Sequence, residues 1–273
     1  MNCLEGLHAS MREVAALGAH ADELLGQGDA DARRLANAIT RSGLVLLCGY
    51  VEGFIRDLVE EAVDHVNELR LEPDRLPVGL LSAVLQAIME FSGAKRDAAV
   101  DQLKAAWKRE AACELDAKRL SSTGGNPTVE TVESIFSVFG LSAVIDTLSI
   151  EHYGIESTFV YESQSAGLEN AISGAVGGDL GSIQAVLAVI DRKWQPRRKR
   201  RQVGYVSALQ EMLRRRHRIA HGESREIVTP QELALARADM ERFCVGLHDL
   251  LESRLAALRN SDADPRSFAS AAR

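Results

Sequence analysis

The sequence predicts an all-α protein, a multi-helix bundle with additional helices and a basic loop. Three observations lead there. Aromatic residues make up 5% of the chain and there are only six prolines, while Ala, Leu, Glu and Arg are plentiful, a mixture that favours helix. Apolar residues recur every three or four positions over long windows. Several of those windows begin and end with helix-capping residues. At 273 residues and 46% hydrophobic content, the chain buries one large core or two small ones. We expect one domain over 1–258, with 140–205 either part of it or an inserted helical or irregular subregion, and a flexible tail over 259–273.

The first helix is predicted over 4–25, where Leu4, Leu7, Met11, Val14, Leu17, Leu24 and Leu25 fall at helical spacing. The turn Gly26–Asp31 follows, with Asp29 or Asp31 available as a cap. A long helix then runs to about Glu68, marked by Tyr50, Val51, Phe54, Ile55, Leu58, Val59, Ala62, Val63 and Val66. Its middle, Gly43–Val51, is apolar nearly all round, which implies burial on several sides, inside a bundle or at a subunit contact. Pro73 and Pro77 make 71–77 a connector. Helices are expected over 78–92 and about 94–120, then a loop over 121–127. Thr128 caps a helix with an apolar face of Val129, Val132, Ile135, Phe136 and Phe139.

Another helix is expected near 141–152, followed by irregular chain. Glycines weaken any helix over 167–181, and 180–190 reads as either a short helix or a strand. A helix over 205–221 ends at Gly222, the residue type suited to a left-handed cap. Thr229-Pro230-Gln231-Glu232 is a capping box with proline at the first helical position, opening a helix to about Leu258.

Composition excludes some function classes. No uninterrupted apolar run is long enough to cross a bilayer, and the start of the chain lacks the basic-then-apolar order of a secretory signal. A cytoplasmic protein without membrane contact is therefore expected. Cys3, Cys48, Cys113 and Cys244 form no CxxC pair and read as free thiols. No cofactor is expected, and no metal: His217 and His221 form an HxxxH pair, but the metalloprotease Glu and a third ligand are missing. The net charge of −7 speaks mildly against a chain coated in nucleic acid.

Its distribution says more. Eleven of the 32 Lys and Arg lie between Arg192 and Arg218, against one acid, Glu211. Arg197, Arg198, Lys199, Arg200 and Arg201 form the basic loop; Arg214, Arg215, Arg216 and Arg218 load the end of the following helix. Such a cluster is either a solvated face balanced by acids elsewhere or a polyanion site, which gains from ion pairing and counterion release. Within it, His217 and His221 are four apart and share a helical face, and the long arm of Arg216 reaches the zone before His221. The helix dipole favours an imidazolium at His221 and the arginines disfavour it, opposing influences that suit proton exchange near neutrality. His221 would then move protons as a 2′-hydroxyl attacks the adjacent phosphodiester, with Arg216 neutralising the phosphorane.

The string Arg216-His217-Arg218-Ile219-Ala220-His221-Gly222, an arginine and histidine separated by four residues, resembles the signature of the HEPN superfamily, most of all its RiboL-PSP-HEPN branch. Residues 44–61 are similar to that branch's early long helix and 126–141 to its middle element. The resemblance implies a helical bundle that dimerises with the motif helices face to face. It makes Arg216 and His221 the catalytic residues of a metal-independent endoribonuclease, with His217 supporting, and implies a toxin or anti-phage defence effector that has an antitoxin or defence-system partner. Glu52, on the long helix, is our candidate for orienting Arg216. One departure is Glu223, where the branch restrained by a nucleotidyltransferase antitoxin carries tyrosine; tyrosine modification is not expected. The alternative is a non-catalytic helical module that binds RNA or protein through the same surface.

Overall fold

The structure, a computed structural model, describes residues 2–162, 197–222 and 226–263. Among them are nine helices and one two-stranded ribbon: α1 (Cys3–Gly26), α2 (Ala30–Glu68), α3 (Val78–Glu90), α4 (Gly93–Trp107), α5 (Ala117–Leu120), α6 (Val129–Ser137), α7 (Val144–Tyr153), β1 (Phe159–Glu162), β2 (Arg197–Arg200), α8 (Gly204–Ala220) and α9 (Pro230–Ala263). The all-α expectation holds.

The axis of the bundle is α2. Asp29 caps it, accepting the Ala32 N–H at 2.7 Å, and its apolar middle is buried against α1, α8 and α9. By length and composition alone the helix is apolar enough to cross a bilayer, although no uninterrupted apolar run within it has that length. Its apolarity has another use, since Leu44, Leu47, Val51, Ile55, Leu58 and Val59 are each at most 2% exposed within the bundle.

Partner spacing fixes the directions of the helices. Asn2 N–H donates to Glu61 and the Tyr50 hydroxyl to Glu13, so α1 runs antiparallel to α2. Arg215 pairs with Glu232, while the Tyr205 ring lies 4.8 Å from that of Phe243, so α8 runs antiparallel to α9 as their short connection requires. Gly43 admits the close crossing of α9, because a Cβ there would meet Leu233 Cδ2 at 2.8 Å.

Helix termini follow the capping residues. Thr128 Oγ1 accepts the Thr131 N–H at 3.2 Å, and all five predicted apolar residues of this region are buried. Thr229 and Glu232 close the capping box reciprocally: Thr229 N–H donates to Glu232 at 2.9 Å and Glu232 N–H to Thr229 Oγ1 at 3.1 Å. Gly222 takes the left-handed conformation, φ +80. These were readable because a cap is a local pattern.

Four expectations need correction. The helix expected over 94–120 stops at Trp107, where Arg109 turns left-handed (φ 64); the last stretch restarts as α5 under an Asp116 cap. The helix expected from 141 begins at Val144, after the left-handed Gly140 and Ala143. The basic loop is partly a strand: β2 pairs antiparallel with β1, Phe159 opposite Arg200 and Glu162 opposite Arg197. The last helix continues to Ala263 instead of ending near Leu258. The readings over 167–181 and 180–190, and the end of the tail from 264 on, lie outside the described residues.

Candidate functional site

The site is assembled where the end of α8 meets the loop 121–127. That loop is fastened to α2 by two hydroxyls that donate to carboxylates eight residues apart on the helix: Thr123 Oγ1 to Glu52 Oε1 at 2.8 Å and Ser121 Oγ to Glu60 Oε1 at 2.9 Å. Gly124 and Gly125 (φ +64 and +89) turn the chain back between them and Asn126, a conformation only glycine adopts without cost. Asn126 Oδ1 then accepts a hydrogen bond from Arg216 Nη1 at 2.7 Å.

Glu52 therefore does not grip Arg216 directly; it grips Thr123, and the amide that holds Arg216 belongs to Asn126. Both charges nevertheless act on the same buried thiol. Burial pushes Cys48 up to about 12, the Arg216 guanidinium pulls against that shift and the Glu52 carboxylate adds to it. The Cys48 thiol itself faces the Met212 carbonyl of α8 at 3.8 Å.

His217 and His221 are exposed, and their rings pack at 4.1 Å between centroids, tilted by 57°. This is the meeting that a four-residue spacing on one face predicts. His221 is the C-cap residue of α8, its N–H donating to the His217 carbonyl at 3.0 Å. Among the described residues no third His, Cys, Asp or Glu joins them as a metal-holding group.

The other arginines of this helix are matched by carboxylates. Arg214 binds Glu211 at 2.7 Å. Arg215 binds Glu211 and Glu232 at 3.0 Å and approaches Glu226 at 3.4 Å. Arg218 binds Glu226 at 2.9 Å. Glu226 is only 6% exposed, so it spends its desolvation on two guanidiniums and anchors the return of the chain from α8 to α9. Hydrogen bonds from Arg214 and Arg215 hold Glu211 below the ordinary carboxylate range. Arg215 does the same to Glu232, helped by the Thr229 N–H.

The ribbon shows the same division. Arg200 is tied to Glu133 at 2.9 Å and lies over the Phe159 ring at 4.5 Å; Lys199 and Arg201 are exposed. Arg197 and Arg198 lie in β2 opposite Glu162 and Tyr161. The acids that balance the basic segment, Glu133, Glu226 and Glu232, come from outside it, which is why the count within 192–218 showed only Glu211. Asn126 was missed for a related reason: it lies 90 residues from Arg216, and its neighbours Gly124, Gly125 and Pro127 signalled a turn and nothing more. Glu223 lies outside the described residues.

The arrangement presents one guanidinium held by a neutral amide and, on another face of the same helix end, two exposed imidazoles. Arg216 and His221, five apart, are turned about 140° from each other by helix geometry. Arg216 accordingly faces the 121–127 loop, while His221 pairs with His217. No curated protein and no solved structure matches the chain. A family model does, RiboL-PSP-HEPN, over residues 10–253. That span takes in α2, the 121–127 loop and the whole Arg216–His221 motif, and the chain belongs to the RiboL-PSP-HEPN family.

Proposed function

We propose that this protein is a metal-independent endoribonuclease that works as a homodimer, serving as a toxin or an effector of anti-phage defence. Membership in the HEPN superfamily supports a nuclease or other RNA-related function. The observation that carries the finer reading is the contrast within α8. Arg214, Arg215 and Arg218 bind carboxylates, whereas Arg216 is held by an uncharged amide. A guanidinium with its charge intact stabilises a phosphorane, and an exposed imidazole exchanges protons at neutral pH.

In this reaction the ribose 2′-hydroxyl gives up its proton and its oxygen bonds to the adjacent phosphorus. The bond to the 5′-oxygen breaks, and that oxygen takes a proton. The products are a 2′,3′-cyclic phosphate and a 5′-hydroxyl. Two proton transfers need two positions, and one chain supplies one Arg216/His221 set whose members diverge. A two-fold pair brings a second set into the same site, which favours the dimer. The exposed Lys199 and Arg201 extend the basic surface for the RNA strand.

The test is incubation of the protein with total RNA in excess chelator, alongside Arg216→Ala and His221→Ala. Wild type is expected to leave cyclic-phosphate ends, and each variant to cleave at least about 100-fold more slowly. RNA binding without cleavage by wild type would assign the protein to the non-catalytic binding class instead. Monomeric sedimentation at concentrations that support cleavage would remove the composite site.

A further inference from the structure

We infer that Asn126 is the positioning residue of Arg216, fixing its guanidinium with one hydrogen bond while leaving its charge available to a phosphate. The inference rests on the nuclease reading for its consequence in catalysis, though the contact itself does not.

The chemistry lies in the choice of an amide. A guanidinium carries five N–H donors. The Asn126 amide oxygen engages Nη1 of Arg216 at 2.7 Å; among the described residues no other acceptor holds it, so four donors are left for an anion. A carboxylate in the same place would fix the side chain equally well but cancel its charge and compete with the phosphate. The remaining arginines of the helix end show that alternative, being tied to Glu211, Glu226 and Glu232.

The amide is itself braced. Asn126 sits in a loop held to α2 through Thr123 on Glu52 and Ser121 on Glu60. Its carbonyl accepts the Thr128 N–H at 2.9 Å, where α6 is capped. Glu52 thus acts on Arg216 at one remove, through Thr123 and the backbone of the double-glycine turn. Pre-organisation of this kind lowers the cost of orienting the guanidinium when substrate arrives.

The decisive pair of variants is Asn126→Asp and Asn126→Ala. Asp keeps the shape and adds the charge; Ala removes the bond and adds none. With a non-cleavable RNA analogue lacking the 2′-hydroxyl at the cut site, Asn126→Asp should weaken binding. It should also lower the slope of log affinity against log salt by about 0.7, the share of one phosphate contact on a single strand. Asn126→Ala should keep that slope and lose kcat by roughly tenfold, the worth of one hydrogen bond to a charged group. Equal behaviour of the two variants, or wild-type behaviour of Asn126→Asp, would overturn the inference.

A readout without RNA separates this from the nuclease reading. Phenylglyoxal modification of Arg216, followed by peptide mass spectrometry, should be slower in Asn126→Asp than in wild type and faster in Asn126→Ala. If wild type never cleaves RNA yet this order is seen, the positioning role stands and the catalytic reading falls. If the order is absent, the positioning role fails whether or not RNA is cut.

Discussion

The two sides of the α8 terminus share a sequence and differ in chemistry. On one side Arg215 and Arg218 converge on Glu226, a carboxylate 6% exposed, and Arg215 also reaches Glu232 at the start of α9. Elsewhere on the same helix end Arg216 is held by an amide, while His217 and His221 pair with each other on another face. The first set of charges is consumed in holding the turn between α8 and α9. Arg216 has no carboxylate partner among the described residues. A run of basic residues is therefore not one feature but two, and the partner of each guanidinium tells which is which.

Variants on the two sides should have opposite signatures. Arg216→Ala and His221→Ala are expected to lose at least about 100-fold in RNA cleavage with the urea midpoint unchanged. An unfolding shift in either would erase the distinction. Glu226→Ala should do the reverse, destabilising by about 2 kcal/mol because two guanidiniums, 21% and 36% exposed, lose their shared partner. Its cleavage per folded molecule should remain near wild type, which urea denaturation and activity on the same samples would check.

Smaller effects sharpen the same contrast. Thr229→Ala removes the hydroxyl that accepts the Glu232 N–H and should cost about 1 kcal/mol, the usual worth of an N-cap. Acid titration should show a modest component from Glu211 and Glu232, both held below the ordinary value of 4.5. For a carboxyl whose folded value is depressed, the stabilisation is complete above the unfolded value and is lost as pH falls through the folded one. Stability should thus decline below about pH 4.5, and Arg215→Ala should flatten that decline. A decline of equal size in Arg215→Ala would assign it to other carboxylates. Arg214→Ala, which breaks an exposed pair, should shift stability by no more than a few tenths of a kcal/mol.

Much of the fold was readable in the chain because its signals are local. Apolar spacing located α1, α2, α6, α8 and α9, and Asp29, Thr128, Thr229 and Gly222 marked their ends. The misreadings came where local signals are silent. No residue near Trp107 announces that α4 must stop there, and nothing in Arg197–Arg200 announces a strand, since β2 exists through pairing with β1 nearly forty residues earlier.

The sequence by itself determined the helical class, the capping of its main helices and the proximity of His217 to His221. Each depends on residues within a turn or two of one another, where backbone geometry alone sets the distance. Tertiary structure alone decided that Arg215 and Arg218 would meet Glu226 and Glu232, and that Asn126 would hold Arg216. Those contacts join residues 8 to 90 positions apart. Their electrostatics depend on what burial places beside a charge, and no periodicity in the chain encodes that neighbour.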